Sequence, residues 1–149
     1  MSIKKLLQKE KITAMKSKNK EKRDALTLVL AKVKQKEVDE QVDLTDNDTV
    51  VLSILDKMVK ERKESMKMYL SAGRTELADK EKFEIEVIQE FLPKALSEEE
   101  IEVLIEKAFE EVKPEGIKQM SSVMAILKPQ LQGRADMGSV SKKIRQRLQ

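Results

Sequence analysis

Seven residues are the only strong helix breakers in this chain, and their positions divide it. The glycines are Gly73, Gly116, Gly133 and Gly138, and the prolines are Pro93, Pro114 and Pro129. Residues 1–72 contain neither type. The stretches between are rich in Lys, Glu, Leu, Met, Ala and Gln, which lose little freedom in a helix. This predicts an all-α fold of short and medium helices joined at the breakers.

The apolar positions support that prediction. Ile3, Leu6, Leu7 and Ala14 share one face of a first helix over about 3–15. Asn19 is placed to cap a second, with Leu26, Val29, Leu30 and Val33 at helical spacing until it fades near 39–42. Thr45 is expected to open a long third helix with Asp48 three residues on. Its stripe runs through Val51, Ile54, Leu55 and Met58 to Arg62, Ser65 and Tyr69. Gly73 suits the helix end. Thr75 is expected to cap a fourth helix with Leu77, Ile85, Ile88 and Leu92 inward, stopped by Pro93.

Behind Pro93, Ser97 and Glu100 form a capping box. The stripe Ile101, Leu104, Ile105, Ala108, Phe109 and Val112 follows. A sixth helix carries Met120, Val123, Met124, Leu127 and Leu131, and Pro129 should kink or unwind its last turn. Asp136 is placed to cap a seventh, with Val140, Ile144 and Leu148 inward. Phe91-Leu92-Pro93-Lys94 is the expected boundary. It separates an N-terminal assembly of about four helices, 1–93, from a three-helix C-terminal domain, 94–149. A unit of about 55 residues is marginal alone, because small domains bury a smaller share of their surface.

Composition then narrows function. There is no cysteine and no histidine. That removes disulfides, thiolate ligands and nucleophiles, the commonest general base and the commonest metal ligand. Neither GxxxxGK[ST] nor GxGxxG occurs. Carboxylates are abundant, but runs such as Glu98-Glu99-Glu100 belong to exposed helix faces. No catalytic residue, cofactor or metal is expected. No apolar run approaches the length of a membrane span. The N-terminus sets Ile3, Leu6 and Leu7 among lysines, without the apolar region of a secretion signal. The expected location is cytoplasmic.

Charge is unevenly spread. Residues 1–23 hold nine Lys or Arg and two acids, and residues 96–115 hold eight Glu and two Lys. Residues 128–149 carry Lys128, Arg134, Lys142, Lys143, Arg145 and Arg147 against Asp136 alone. Such ends can bind a polyanion or simply be solvated helix faces. Gly133-Arg134-Ala135-Asp136-Met137-Gly138 lies at the head of the second basic stretch. Gly133 suits a positive φ and Asp136 a cap, and Gly138 would allow another backbone to approach closely. Arg134 is left to bridge to a carboxylate or to face a phosphate. Arg62, Ser65, Tyr69 and Arg74 form a second polar group. It reads either as a pocket for an anion or as an ion-pair network with Glu81 and Glu84. Aromatics are few: Tyr69, Phe83, Phe91 and Phe109. Base stacking is therefore not expected, and any RNA contact would run through phosphates and shape.

These residues carry a resemblance. Ala72-Gly73-Arg74-x-x-Leu77, Glu81 and Glu84 come first. Phe91-Leu92-Pro93-Lys94-Ala95-Leu96-Ser97, Val123-Met124 and Gly133-Arg134-Ala135-Asp136-Met137-Gly138-x-Val140-Ser141 follow. In that order they resemble the YqeY family over essentially the whole chain. Ser121-Ser122 stand where that family usually has Gly after the Met. The C-terminal half is similar to the tail domain of the B subunit of tRNA-dependent amidotransferase (GatB), the region that grips tRNA. The resemblance implies tRNA as partner, with an amidotransferase or an aminoacyl-tRNA synthetase as the proteins it would act beside. It marks Lys128, Gly133, Arg134, Gly138, Lys142, Lys143 and Arg145 as candidate contacts. It also carries the label of a carbon–nitrogen ligase using glutamine as amido donor, although no segment resembles that enzyme's catalytic part. A protein-interaction adaptor using the acidic helix from Ser97 to Val112 is the remaining alternative.

Overall fold

A computed structural model describes residues 1–149. It is entirely helical, with no strand. Internal contacts gather into two compact units, Met1–Leu92 and Pro93–Gln149.

The first unit holds α1 (Ile3–Lys16), α2 (Lys20–Glu40), α3 (Asp48–Ser71) and α4 (Thr75–Gln89). α1 turns back onto α2, and α3 onto α4, while α1 also touches α3 and α2 touches α4. Leu7, Leu26, Val29, Val33, Val51, Leu55, Met58, Ile85 and Ile88 lie in one core with Leu44 and Phe91. Burying each such side chain is worth about 1.5–3 kcal/mol, which is why the stripes decide the packing. Leu77 and Leu92 are only half-buried, while Ala78 and Val87 take inward places on α4.

Caps fix the helix ends. Ser2 accepts from the Lys5 N–H and Asn19 from the Lys22 N–H. The third helix opens differently from the expectation. Asn47, not Thr45, is its cap, accepting from the Val50 N–H at 3.3 Å. Thr45 is engaged earlier, donating its N–H and hydroxyl to Asp43 Oδ1. Asp48 instead receives the Ile3 N–H at 3.0 Å and so ties the start of α1 to the start of α3. Thr75 likewise does not cap α4. Arg74 holds the cap position without a side-chain bond, and Thr75 is the first helical residue. The reason is the preceding turn. Gly73, at φ +71°, lets the Arg74 N–H reach the Tyr69 carbonyl and its own N–H reach Leu70, a complete Schellman ending. That leaves no extended residue before Thr75.

The second unit holds α5 (Glu98–Val112), a single 3-10 turn (Ile117–Gln119), α6 (Met120–Leu131) and α7 (Met137–Leu148). Ile105, Ala108, Val123, Leu127, Leu131, Val140 and Ile144 form its core. The Ser97–Glu100 capping box is present in both directions. Pro129 does not unwind α6, which stays helical to Leu131. The proline removes one N–H near the end, and the Gln132 N–H still bonds the Lys128 carbonyl at 2.9 Å.

Candidate nucleic-acid interface

The turn from α6 to α7 is built by backbone geometry. Gln132 has φ −60° and ψ 125°, Gly133 has φ +79°, and the Arg134 N–H bonds the Leu131 carbonyl at 2.9 Å. These are the angles of a type II turn with glycine at its third position, where a side chain is disfavoured. Gly133 thus serves a β-turn rather than a helix cap. Asp136 caps α7, accepting from the Gly138 N–H at 3.1 Å and from the Ser139 hydroxyl at 3.0 Å. The close backbone approach expected at Gly138 is absent. A Cβ there would meet only Asp136 Oδ1, at 3.4 Å.

Arg134 faces its own unit. Its Nε donates to the Lys94 carbonyl at 3.2 Å, and its carbonyl accepts the Leu96 N–H at 2.8 Å. The residue pins the segment before α5 to the α6–α7 turn. The residue is half-buried, and beyond the Nε bond its guanidinium keeps its Nη donors.

α7 sorts its cations by face. Lys143 and Arg147, one turn apart, reach Glu102 and Glu106 of α5, each at 2.7 Å. Arg147 also lies 4.1 Å from the centre of the Phe109 ring, a cation–π contact. Hydrogen bonding to Lys143 holds Glu102 below the usual carboxylate range, and the same bond raises Lys143. Lys142 and Arg145, three residues apart, fall opposite Val140 and Ile144 and are exposed. Lys128, near the end of α6, is exposed too. Of the candidate contacts, Lys128, Lys142 and Arg145 therefore present charge to solvent, while Lys143 is paired, Gly133 shapes the turn and Gly138 lies in the first turn of α7.

The second polar group lies in the first unit. Arg62 Nε meets Glu84 Oε2 at 2.9 Å across α3 and α4, with both side chains largely buried. Arg62 also donates to the Met58 carbonyl. Glu81 is raised by burial first and by Glu84 second, against the pull of Arg62. Ser65 and Tyr69 are half-buried on the same helix, and Arg74 is exposed beyond the Gly73 turn. The structure brings Arg62 and Glu84 together and leaves Arg74 outside that pair.

One buried charge escaped the sequence reading. Glu37 on α2 is 7 % exposed and receives Lys4 Nζ and the Leu44 N–H, both at 2.8 Å. Lys4 also lies 3.6 Å from Asp43. The signal was available, because Glu37 continues the spacing of Leu26, Val29 and Val33.

No cluster of three or more acidic ligands is placed to hold a metal ion. No helix is long and apolar enough to cross a membrane.

Comparison with known proteins adds a family. The model described as "Yqey-like protein" matches residues 4–148. Altered inheritance of mitochondria protein 41, mitochondrial, of Vanderwaltozyma polyspora is 31% identical over 122 residues, covering 80% of this chain and 65% of that protein. Its namesake in Candida glabrata is 34% identical over 107 residues, covering 72% of this chain and 58% of that protein. An uncharacterised protein of Schizosaccharomyces pombe is 30% identical over 92 residues, covering 62% of this chain and 73% of its own length. The chain thus spans less than two thirds of the two proteins named mitochondrial.

Proposed function

This chain belongs to the YqeY family, and on that premise we propose that it is a non-catalytic tRNA-binding accessory protein of the cytoplasm. It acts alone or beside an amidotransferase or an aminoacyl-tRNA synthetase. The observation that carries the reading is the sorting of charge on α7. Glu102 and Glu106 neutralise one flank, and Lys142 and Arg145 project from the outward face without such partners. Lys128 adds a third exposed cation, and the Nη donors of Arg134 are a fourth resource. Cations on a rigid helix suit a phosphate backbone, whose binding is driven by release of condensed counterions. The scarcity of aromatics fits contact through phosphates and shape rather than through unstacked bases.

Titration of the full chain with tRNA across a salt series tests this. Binding is expected at low ionic strength, weakening steeply with salt. Lys142→Glu with Arg145→Glu should weaken it about tenfold or more and flatten the salt slope by about one to two units. No binding at low salt, or binding indifferent to both substitutions, would sink the proposal. Purified protein given glutamine, ATP and Glu-tRNA should show no turnover, and turnover would favour the ligase reading.

A further inference from the structure

Once ion pairs are set aside, α1 and its turn into α2 carry more free cations than α7. Within residues 1–22 only Lys4 and Lys22 meet acids. Lys5, Lys9, Lys16, Lys18 and Lys20 are exposed and in no ion pair. The two carboxylates of the segment lie elsewhere. Glu10 is 3.8 Å from Lys22, and Glu21 stands in the first turn of α2.

The cations are ordered on one face. Leu7 and Ala14 bury one side of α1. Lys5, Lys9 and Lys16 fall on the opposite side, a column about 16 Å long. Ile12, three residues from Lys9 and four from Lys16, stands inside that column at 52% exposure. Met15 follows it at i+3, 54% exposed. Helix stability does not account for the arrangement. Lys5 lies near the N-terminal end, where the dipole favours acids, and the first turn has none. Lys18 holds φ +59°, a conformation that glycine adopts without strain. The face is also preformed, because Ser2 caps the helix and Asp48 holds the Ile3 N–H.

We propose that this outer face of α1 adsorbs to an anionic lipid surface. Ile12 and Met15 enter the boundary between headgroups and acyl chains. The lysine ammoniums, on long flexible stems, reach the lipid phosphates at the level above. A cluster of four to eight cations on a helix with apolar neighbours is the pattern that binds such a surface, reversibly and under control of salt. Two observations favour lipid over nucleic acid here. A nucleic-acid backbone gives Ile12 and Met15 nothing apolar to enter. Residues 1–22 also contain no arginine, the side chain whose fork grips a phosphate in fixed geometry. A fluid headgroup layer needs only point charges. The proposal is independent of the tRNA reading, which concerns the second unit.

Sedimentation of the full chain with vesicles tests this. Binding is expected to phosphatidylcholine vesicles holding about one third phosphatidylglycerol, weaker at high salt, and absent on phosphatidylcholine alone. Lys5→Glu with Lys9→Glu and Lys16→Glu should weaken it by at least about a hundredfold. Ile12→Ser should weaken it about fivefold to tenfold. Lys63→Glu with Lys67→Glu and Lys82→Glu, at exposed positions of α3 and α4, makes the same change in charge and should weaken it far less. Circular dichroism checks that helicity is kept. The chain has no cysteine, so Met15→Cys takes a single environment-sensitive dye. Its emission should shift to the blue on anionic vesicles, which holds the test open even if the lysine variant unfolds. No sedimentation with anionic vesicles, an equal loss in the charge-matched control, or a dye that stays in water overturns the proposal. Loss of tRNA binding on the α1 reversal, with no vesicle binding by the unaltered chain, would assign the lysine column to RNA and overturn it equally.

Discussion

Lys143 of α7 and Glu102 of α5 meet at 2.7 Å, and one helical turn further Arg147 and Glu106 meet at the same distance. Both steps are four residues, so the helices run in parallel and in register across this seam. The acidic stretch of the sequence and the basic one are therefore partly each other's counterions. Exposed pairs of this kind add little stability. Their larger effect is on the field, because they remove two cations from the face offered to a polyanion.

That relationship makes a prediction in the unusual direction. Glu102→Gln with Glu106→Gln releases Lys143 and Arg147 without touching any cation. If α7 contacts tRNA, the double variant should bind more tightly at low salt, with a salt slope steeper by about one to two units. A filter-binding series against the unaltered chain checks it. The melting temperature should change little. Unchanged or weakened binding would place the tRNA contact away from this flank.

Arg62 and Glu84 are a different kind of pair. Their side chains are 16% and 12% exposed, so removing one leaves a desolvated charge behind. Arg62→Ala should cost about 2–3 kcal/mol in urea unfolding. Arg62→Ala with Glu84→Ala should cost less than the sum of the single changes, and a double-mutant cycle measures the difference. Strict additivity would show that the two act independently.

The pair formed by Lys4 and Glu37 gives the first unit a pH dependence. Hydrogen bonding to Lys4, then to the Leu44 N–H, holds Glu37 below its ordinary value. The Thr45 hydroxyl and N–H bring Asp43 down to about 2. Both carboxylates are lowered by folding, so their contribution is complete above their ordinary range of about 4 and is lost as pH falls toward the folded values. Lys4 is raised, chiefly by its bond to Glu37, so its contribution is complete below its ordinary value and is lost only in strong alkali. Melting temperatures of the unaltered chain and of Glu37→Gln should differ most near neutral pH. The gap should close as pH falls below the ordinary carboxylate range of about 4 and Glu37 takes up its proton. A gap constant down to pH 2 would remove Glu37 as the cause.

The legible parts of this chain were those governed by local rules. Apolar stripes at 3.6-residue spacing placed all seven α-helices, because burial of a continuous face decides which residues turn inward. The Ser97–Glu100 box and the Asn19 and Asp136 caps were readable because each involves neighbours within three residues. What failed depended on which of several partners, near or far along the chain, claimed a side chain. Thr45 looked like a cap until Asp43 claimed it, and Asp48 was free to bond Ile3, forty-five residues away. Arg62 announced itself as a polar residue on an apolar stripe, and Glu37 carried the same mark unread. In the candidate interface the sequence displayed six cations. It did not display that Lys143 and Arg147 face acids or that Arg134 bonds the Lys94 carbonyl.

Arg134 separates structure from binding. Its Nε bond to Lys94 joins positions forty residues apart, so Arg134→Ala should lower the stability of the second unit by about 1 kcal/mol. Lys142→Ala, on an exposed face, should leave stability within about 0.5 kcal/mol. Thermal melts compare the two, and tRNA affinities should be read only after that difference is known. Equal melting temperatures would mean that the Lys94 contact contributes nothing.

The two glycines of the α6–α7 turn should behave oppositely, although the sequence presents them alike. Gly133 sits at φ +79°, where a Cβ is strained whatever the space around it. Gly133→Ala should cost about 1–2 kcal/mol by forcing the type II turn to reshape. Gly138 lies in the first turn of α7, and a Cβ there meets only the capping Asp136 oxygen at 3.4 Å. Gly138→Ala should therefore be neutral or stabilise the helix by up to about 1 kcal/mol, since alanine loses less backbone freedom on folding. Differential thermal melts of the two variants check this. Equal losses would mean that Gly138 meets a constraint this turn does not impose, and would return it to the candidates for ligand contact.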